Sequence, residues 1–177
     1  MKSEYVTIYT HGFIYGYIDQ VDNQKLSKLC IKNYKKRMSK NKNLTRSEDI
    51  VIPLNKEIKW IAKQMSDAYE DKFGTSLRMI EEGNHWAQVH YKNESTQFHN
   101  HPNVNIAGVY YVKVPKNSGD LILKYKKHEL DRSQWCFPPE ENKFILFNAS
   151  MEHGVSPNQS DKPRVCISIN FIINDKK

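Results

Sequence analysis

A chain of 177 residues, 38% hydrophobic and 27% charged, has the length and composition of one globular domain and excludes a disordered, collagen-like or coiled-coil protein. Three cysteines, Cys30, Cys136 and Cys166, with no Cys-x-x-Cys among them, argue against a secreted disulfide scaffold or a cysteine-rich zinc site and for a reducing setting. The net charge of +7 is local, because the segment 23–47 holds nine basic residues and no acidic one, while the rest of the chain holds 18 basic against 20 acidic.

Residues 4–18 are rich in β-branched and aromatic types and are punctuated by Gly12 and Gly16, which predicts strand, turn and strand. From 23 to about 40, Leu26, Leu29, Cys30, Tyr34 and Met38 fall on one helical stripe and Lys25, Lys28, Lys32 and Lys36 on another. Such a basic face is a solvated surface or a site for an acidic partner. After a linker, Ile58, Ile61, Ala62, Met65, Ala68 and Tyr69 keep the spacing of a second buried helical face, with Gly74 as its C-cap.

From residue 76 the pattern changes to short β segments with turn residues between them. The expected strands are 77–80, 85–91, 96–101, 106–114, 121–125, 144–147 and 165–172. Many short strands without an intervening helix predict a mainly β fold, a sandwich or jelly roll, flanked by the two N-terminal helices. One domain is expected over 1–177, with 1–75 supplying strands and helices and 76–177 the β core. No stretch approaches the ~18 apolar residues of a membrane span, and the first residues carry no apolar signal region. The expectation is therefore a cytoplasmic chain with no membrane partner.

Two of the seven histidines, His99 and His101, stand two apart in an expected strand, so their imidazoles share a face and can grip one ion. His153 follows an apolar strand and reads as a loop residue. Eleven positions further on, Arg164 heads the last strand, where Cys166, Ser168 and Asn170 share its face.

This order of residues resembles the double-stranded β-helix oxygenases that use Fe(II) and 2-oxoglutarate. More closely it resembles a group of such oxygenases, with unassigned substrates, common in phage and bacterial genomes. The stretches that carry the resemblance are Trp86-Ala87-Gln88-Val89-His90, His99-Asn100-His101-Pro102-Asn103, Ala107-Gly108-Val109-Tyr110-Tyr111-Val112-Lys113-Val114-Pro115, Ser118-Gly119-Asp120-Leu121 and His153-Gly154-Val155-Ser156-Pro157-Asn158. The resemblance implies a jelly-roll (double-stranded β-helix) core in which His99, His101 and His153 hold Fe(II). It also implies that 2-oxoglutarate chelates the iron and that Arg164 pairs with its far carboxylate. Use of O2, release of succinate and CO2, stimulation by ascorbate and hydroxylation of an unknown substrate follow from the same resemblance. That substrate could be a protein, a nucleic acid or a small molecule.

Two positions depart from the superfamily pattern. His101 stands where a carboxylate is usual, so three neutral imidazoles leave the charge of the metal uncompensated. Cys166 stands where related enzymes often place Ser beside the cosubstrate. Tyr110, Tyr111, Gln88 and Asn105 are further candidates for the cosubstrate shell. The alternatives are a cupin-type metal dioxygenase without 2-oxoglutarate, and a non-enzymatic basic β-domain that binds nucleic acid through the segment 23–47. The first gives Arg164 no duty, and the second lacks any recognisable reader motif.

Overall fold

The computed structural model describes residues 12–40, 50–79, 84–124 and 133–174. The first half of the expected strand-turn-strand lies outside these residues, as do the ends of the expected strands at 80 and 125 and the basic residues Lys42 and Arg46. The elements run β1 Phe13–Tyr17, α1 Asn23–Lys40, α2 Lys56–Phe73, β2 Leu77–Met79, β3 His85–His90, β4 Thr96–His99, β5 Ile106–Lys113, β6 Leu121–Lys124, β7 Gln134–Phe137, β8 Lys143–Asn148, β9 His153–Val155 and β10 Arg164–Ile173. The fold is mainly β with two helices. No helix among the described residues is long and apolar enough to cross a membrane.

The strands form two antiparallel sheets. The larger has the order β1-β8-β5-β10-β2, with β3 also paired to β10, and the smaller has the order β4-β9-β6-β7. From β3 onward the chain passes repeatedly between them: β3, β5, β8 and β10 belong to the larger sheet, β4, β6, β7 and β9 to the smaller. Residues at the crossings are therefore brought together from distant parts of the sequence.

Both helices cover the outer face of the larger sheet. Asp22 caps α1, its carboxylate accepting from the Lys25 backbone N–H at 2.9 Å. Leu26, Cys30 and Tyr34 then point inward, while Lys25, Lys28, Lys32, Lys35, Lys36 and Lys40 stay exposed. In α2, Asn55 is the N-cap and Gly74 the left-handed C-cap, and Ile58, Ile61 and Met65 are fully buried against Ile167, Ile169 and Phe171 of β10.

Gly16 corrects the reading of 4–18. It lies inside β1, in register with Phe144, and a Cβ there would sit 2.7 Å from the Phe144 ring. The glycine permits close approach of two strands instead of making a turn. Two strands were not expected from the sequence: β7, four residues at the outer edge of the smaller sheet, and β9, three residues that carry His153. Both are too short for an alternation to show.

Candidate metal centre

His99 ends β4 and His153 begins β9, and the two are directly paired across the strands. His101 lies beyond the end of β4, not in the strand as the spacing suggested; its backbone N–H donates to Ala149 O at 2.9 Å, which holds it against the β8–β9 connection. The three rings nevertheless converge, with centroids 4.4 to 5.1 Å apart. One nitrogen from each lies within 4.8 Å of the others.

The backbone fixes how two of these imidazoles face. His99 Nδ1 is 2.8 Å from Gln97 O, and His153 Nδ1 is 2.9 Å from Met151 O. A carbonyl only accepts, so Nδ1 carries the proton in each ring and Nε2 is left with its lone pair. Burial pushes His153 down to about 3, with the Met151 carbonyl opposing and the neighbouring His99 and His101 adding to the shift. Burial, then His99, pushes His101 down to about 4. His101 and His153 are thus neutral nitrogen donors near pH 7, and with His99 they make a three-imidazole set that suits a first-row divalent cation.

Arg164 lies in the same cleft, 1% exposed. Its Nη1 donates to Gly119 O at 3.1 Å and its Nη2 to His90 Nδ1 at 2.7 Å. None of the ion pairs among the described residues engages it. Its Nε, the Tyr111 hydroxyl and the Trp86 indole N–H are buried polar atoms of the cleft wall with no hydrogen-bond partner. Unmet donors of this kind cost stability wherever they occur, and they mark a place that a ligand can satisfy. Burial raises the Tyr111 phenol far above its ordinary value and also raises the Cys166 thiol, with Arg164 pulling both back. Tyr111 and Cys166 are therefore neutral beside a fully charged guanidinium.

Of the other residues singled out from the sequence, Gln88 and Cys166 line the cleft beside Arg164. Tyr110 does not. It points to the helix side of the sheet, where its hydroxyl donates to Asn23 Oδ1 and Asn142 Oδ1 at 3.1 Å each. Asn105 is exposed, and its Oδ1 accepts the Ile173 N–H at 3.0 Å, tying β5 to the end of β10. Neither reaches a cosubstrate in the cleft. Trp86, whose ring lies 5.6 Å from that of His101, and His90 were not singled out as site residues. Their parity with Gln88 in β3 was the available signal.

Residues 84–170 match a protein family described as "Putative 2OG-Fe(II) oxygenase". No curated protein sequence matches the chain. Among solved structures, the chain is similar to AviO1 from Streptomyces viridochromogenes Tue57, at TM-score 0.62 and 11% identity over 92% of this chain and 90% of that one. It is similar to a Pseudomonas putida prolyl-4-hydroxylase, at TM-score 0.61 and 14% identity over 92% and 94%. It also resembles an oxidoreductase of the 2OG-Fe(II) oxygenase family from Burkholderia pseudomallei, at TM-score 0.54 and 14% identity over 72% of this chain and 62% of that one. At these identities the structures share a fold with this chain.

Proposed function

We propose, from the match of residues 84–170 to the family described as "Putative 2OG-Fe(II) oxygenase", that this chain is such an oxygenase, with His99, His101 and His153 as its iron ligands and Arg164 as its 2-oxoglutarate clamp. The observation that carries the assignment is a single cleft in which three imidazoles converge at one place and a buried guanidinium, outside every ion pair among the described residues and with an unused N–H, stands at another. The alternation of β3 to β10 between two sheets supports reading the core as a double-stranded β-helix, or jelly roll. The described residues up to 75 belong to the same unit on this reading, since Leu26, Ile58, Ile61 and Met65 share a core with Ile167 and Phe171.

When bound, iron and 2-oxoglutarate supply O2 activation, coupling oxidation of the cosubstrate to succinate and CO2 with oxidation of the substrate. The chain's own part is to bind, orient and exclude water. The Gln97 and Met151 carbonyls hold His99 and His153 by Nδ1, so that Nε2 of each would be the atom to hold a metal. Arg164 supplies the positive charge and Tyr111 an O–H donor for the far carboxylate. Trp86, Ser168 and Asn170 give the remaining wall uncharged hydrogen-bonding groups, and the substrate is placed against them. A cupin-type reaction without 2-oxoglutarate would leave the Arg164 charge buried to no purpose.

Titration of the anaerobic Fe(II) protein with 2-oxoglutarate tests the assignment. Arg164→Ala is expected to lose about 2 to 5 kcal/mol of cosubstrate binding, the loss typical when one partner of a buried charge pair is removed. Iron affinity should barely change. Arg164→Lys should recover part of the loss, since it restores the charge without the planar fork. The same curve for wild type and Arg164→Ala would remove Arg164 from the site.

A further inference from the structure

Arg164 is held by more than the cleft that it serves. Directly opposite it in the β3–β10 register is His90, whose Nδ1 lies 2.7 Å from Arg164 Nη2. A guanidinium has donors only, so Nδ1 is the acceptor and the imidazole proton is on Nε2. Thr96 Oγ1 lies 2.9 Å from that Nε2 and accepts a hydrogen bond from its N–H. The backbone of His90 is fixed in turn by Asn158, a fully buried residue whose Nδ2 donates to His90 O at 2.8 Å. On the other side, Gly119 O accepts from Nη1, and this loop approaches so closely that a Cβ on Gly119 would sit 2.2 Å from Ser156 O.

The group that orients the guanidinium is thus an imidazole, and a neutral one. Burial and the charge of Arg164 push His90 down to about 3. A carboxylate in the same place would hold Arg164 at least as firmly, but it would cancel the charge that attracts an anion. We propose that His90 is a positioning residue for the anion site, locked by Thr96 into the tautomer whose Nδ1 fixes Arg164 while leaving its full positive charge to an incoming carboxylate. The inference rests on the reading of Arg164 as the cosubstrate clamp. It adds a residue, a tautomer and a reason for the absence of an acid. It also links the clamp to the metal strand, because Thr96 begins β4 and His99 ends it.

The isosteric pair His90→Asn and His90→Asp separates orientation from charge. Asn keeps a neutral acceptor toward Nη2, and Asp replaces it with an anion. With the redox-inert Mn(II) form, calorimetric titration with 2-oxoglutarate should give an affinity within about fivefold of wild type for His90→Asn. For His90→Asp the affinity should be lower by about thirtyfold or more, the scale of one close charge pair. Thr96→Val, which releases the tautomer, should weaken binding severalfold without changing Mn(II) affinity. In the metal-free protein, the 15N resonances of His90 should report an unprotonated Nδ1 and a protonated Nε2, a readout that needs neither metal nor cosubstrate.

If Arg164→Ala binds 2-oxoglutarate as wild type does, the clamp itself is overturned. If Arg164→Ala is weakened but His90→Asn and His90→Asp are equal, only the role of His90 is overturned. The opposite tautomer in the 15N spectrum overturns it as well, whether or not the Asp variant folds.

Discussion

The two faces of the larger sheet are built from the same strands and do opposite things. Along β10, Val165, Ile167, Ile169 and Phe171 enter the core beneath the helices, while Arg164, Cys166, Ser168 and Asn170 face the cleft. In β3, Ala87 and Val89 take the first face, and Trp86 and Gln88 the second. The period of two thus separates stability from chemistry within a single strand. One face is apolar and closed. The other holds Arg164 Nε, the Tyr111 hydroxyl and the Trp86 N–H without partners, three polar groups gathered in one cleft where a ligand can satisfy them.

The contrast is broken most forcefully from the closed side. Phe171→Ala should lower the stability of the protein by about 3 to 5 kcal/mol, the range for emptying an aromatic site in a packed core. Ser168→Ala, three residues away on the opposite face, should cost well under 1 kcal/mol. Denaturant unfolding of the two variants measures both. Similar losses for the two would mean that the faces are not distinct in energy.

Lowering the pH attacks the cleft face selectively. His90, His101 and His153 are held at about 3, 4 and 3, chiefly by burial, against about 6.5 in an unfolded chain. The unfolded state therefore binds more protons below about pH 6.5, so the stability of the metal-free protein should fall as pH drops from there toward 3 and should be flat above it. His90→Asn removes one of these groups and should make the fall shallower. A stability curve that is level from pH 7.5 to 5 would mean that these rings are not buried in their neutral forms.

Much of this division is legible in the sequence. The helices are marked by their stripes and by Gly74, and the alternation in the last strand by itself sets Arg164, Cys166, Ser168 and Asn170 on one face. What stays hidden has a common cause. β5 is buried on both faces, so nothing in Ile106–Lys113 contrasts polar with apolar, and Tyr110 cannot be told from Tyr111. His90 cannot be paired with Arg164 because a strand register is not written in either strand alone. The convergence of His101 with His99 depends on a backbone bond to Ala149 nearly fifty positions away, where the spacing alone suggested a shared strand.

Tyr111 offers a smaller and sharper test, since it places the two demands in conflict within one atom. Its hydroxyl is buried and unpartnered, and removing it in Tyr111→Phe deletes the unmet group while the ring still packs with Leu123 and Phe147. The expected change is a gain in stability of up to about 1 kcal/mol, with cosubstrate affinity falling by roughly tenfold for one lost hydrogen bond to a charged group. Loss of stability in Tyr111→Phe would instead show that the hydroxyl serves the fold.

The smallest effect is expected on the outermost layer, the solvent face of α1, which lies behind the closed core and away from the cleft. Lys28, Lys32 and Lys36 are exposed and none of them takes part in an ion pair among the described residues. Reversing all three to Glu should change stability by no more than about 0.5 kcal/mol at each site. The triple variant should therefore unfold close to wild type and titrate with 2-oxoglutarate unchanged. The same variant tests the idea of an acidic partner on this face: binding of an anionic polymer that weakens steeply with salt in the wild type and disappears in the triple variant would support it. Equal binding by both would leave the lysines as a solubilising surface. A fall in stability well beyond the sum of three surface changes would show that this face is packed against something, and that the molecule has a third working surface besides the core and the cleft.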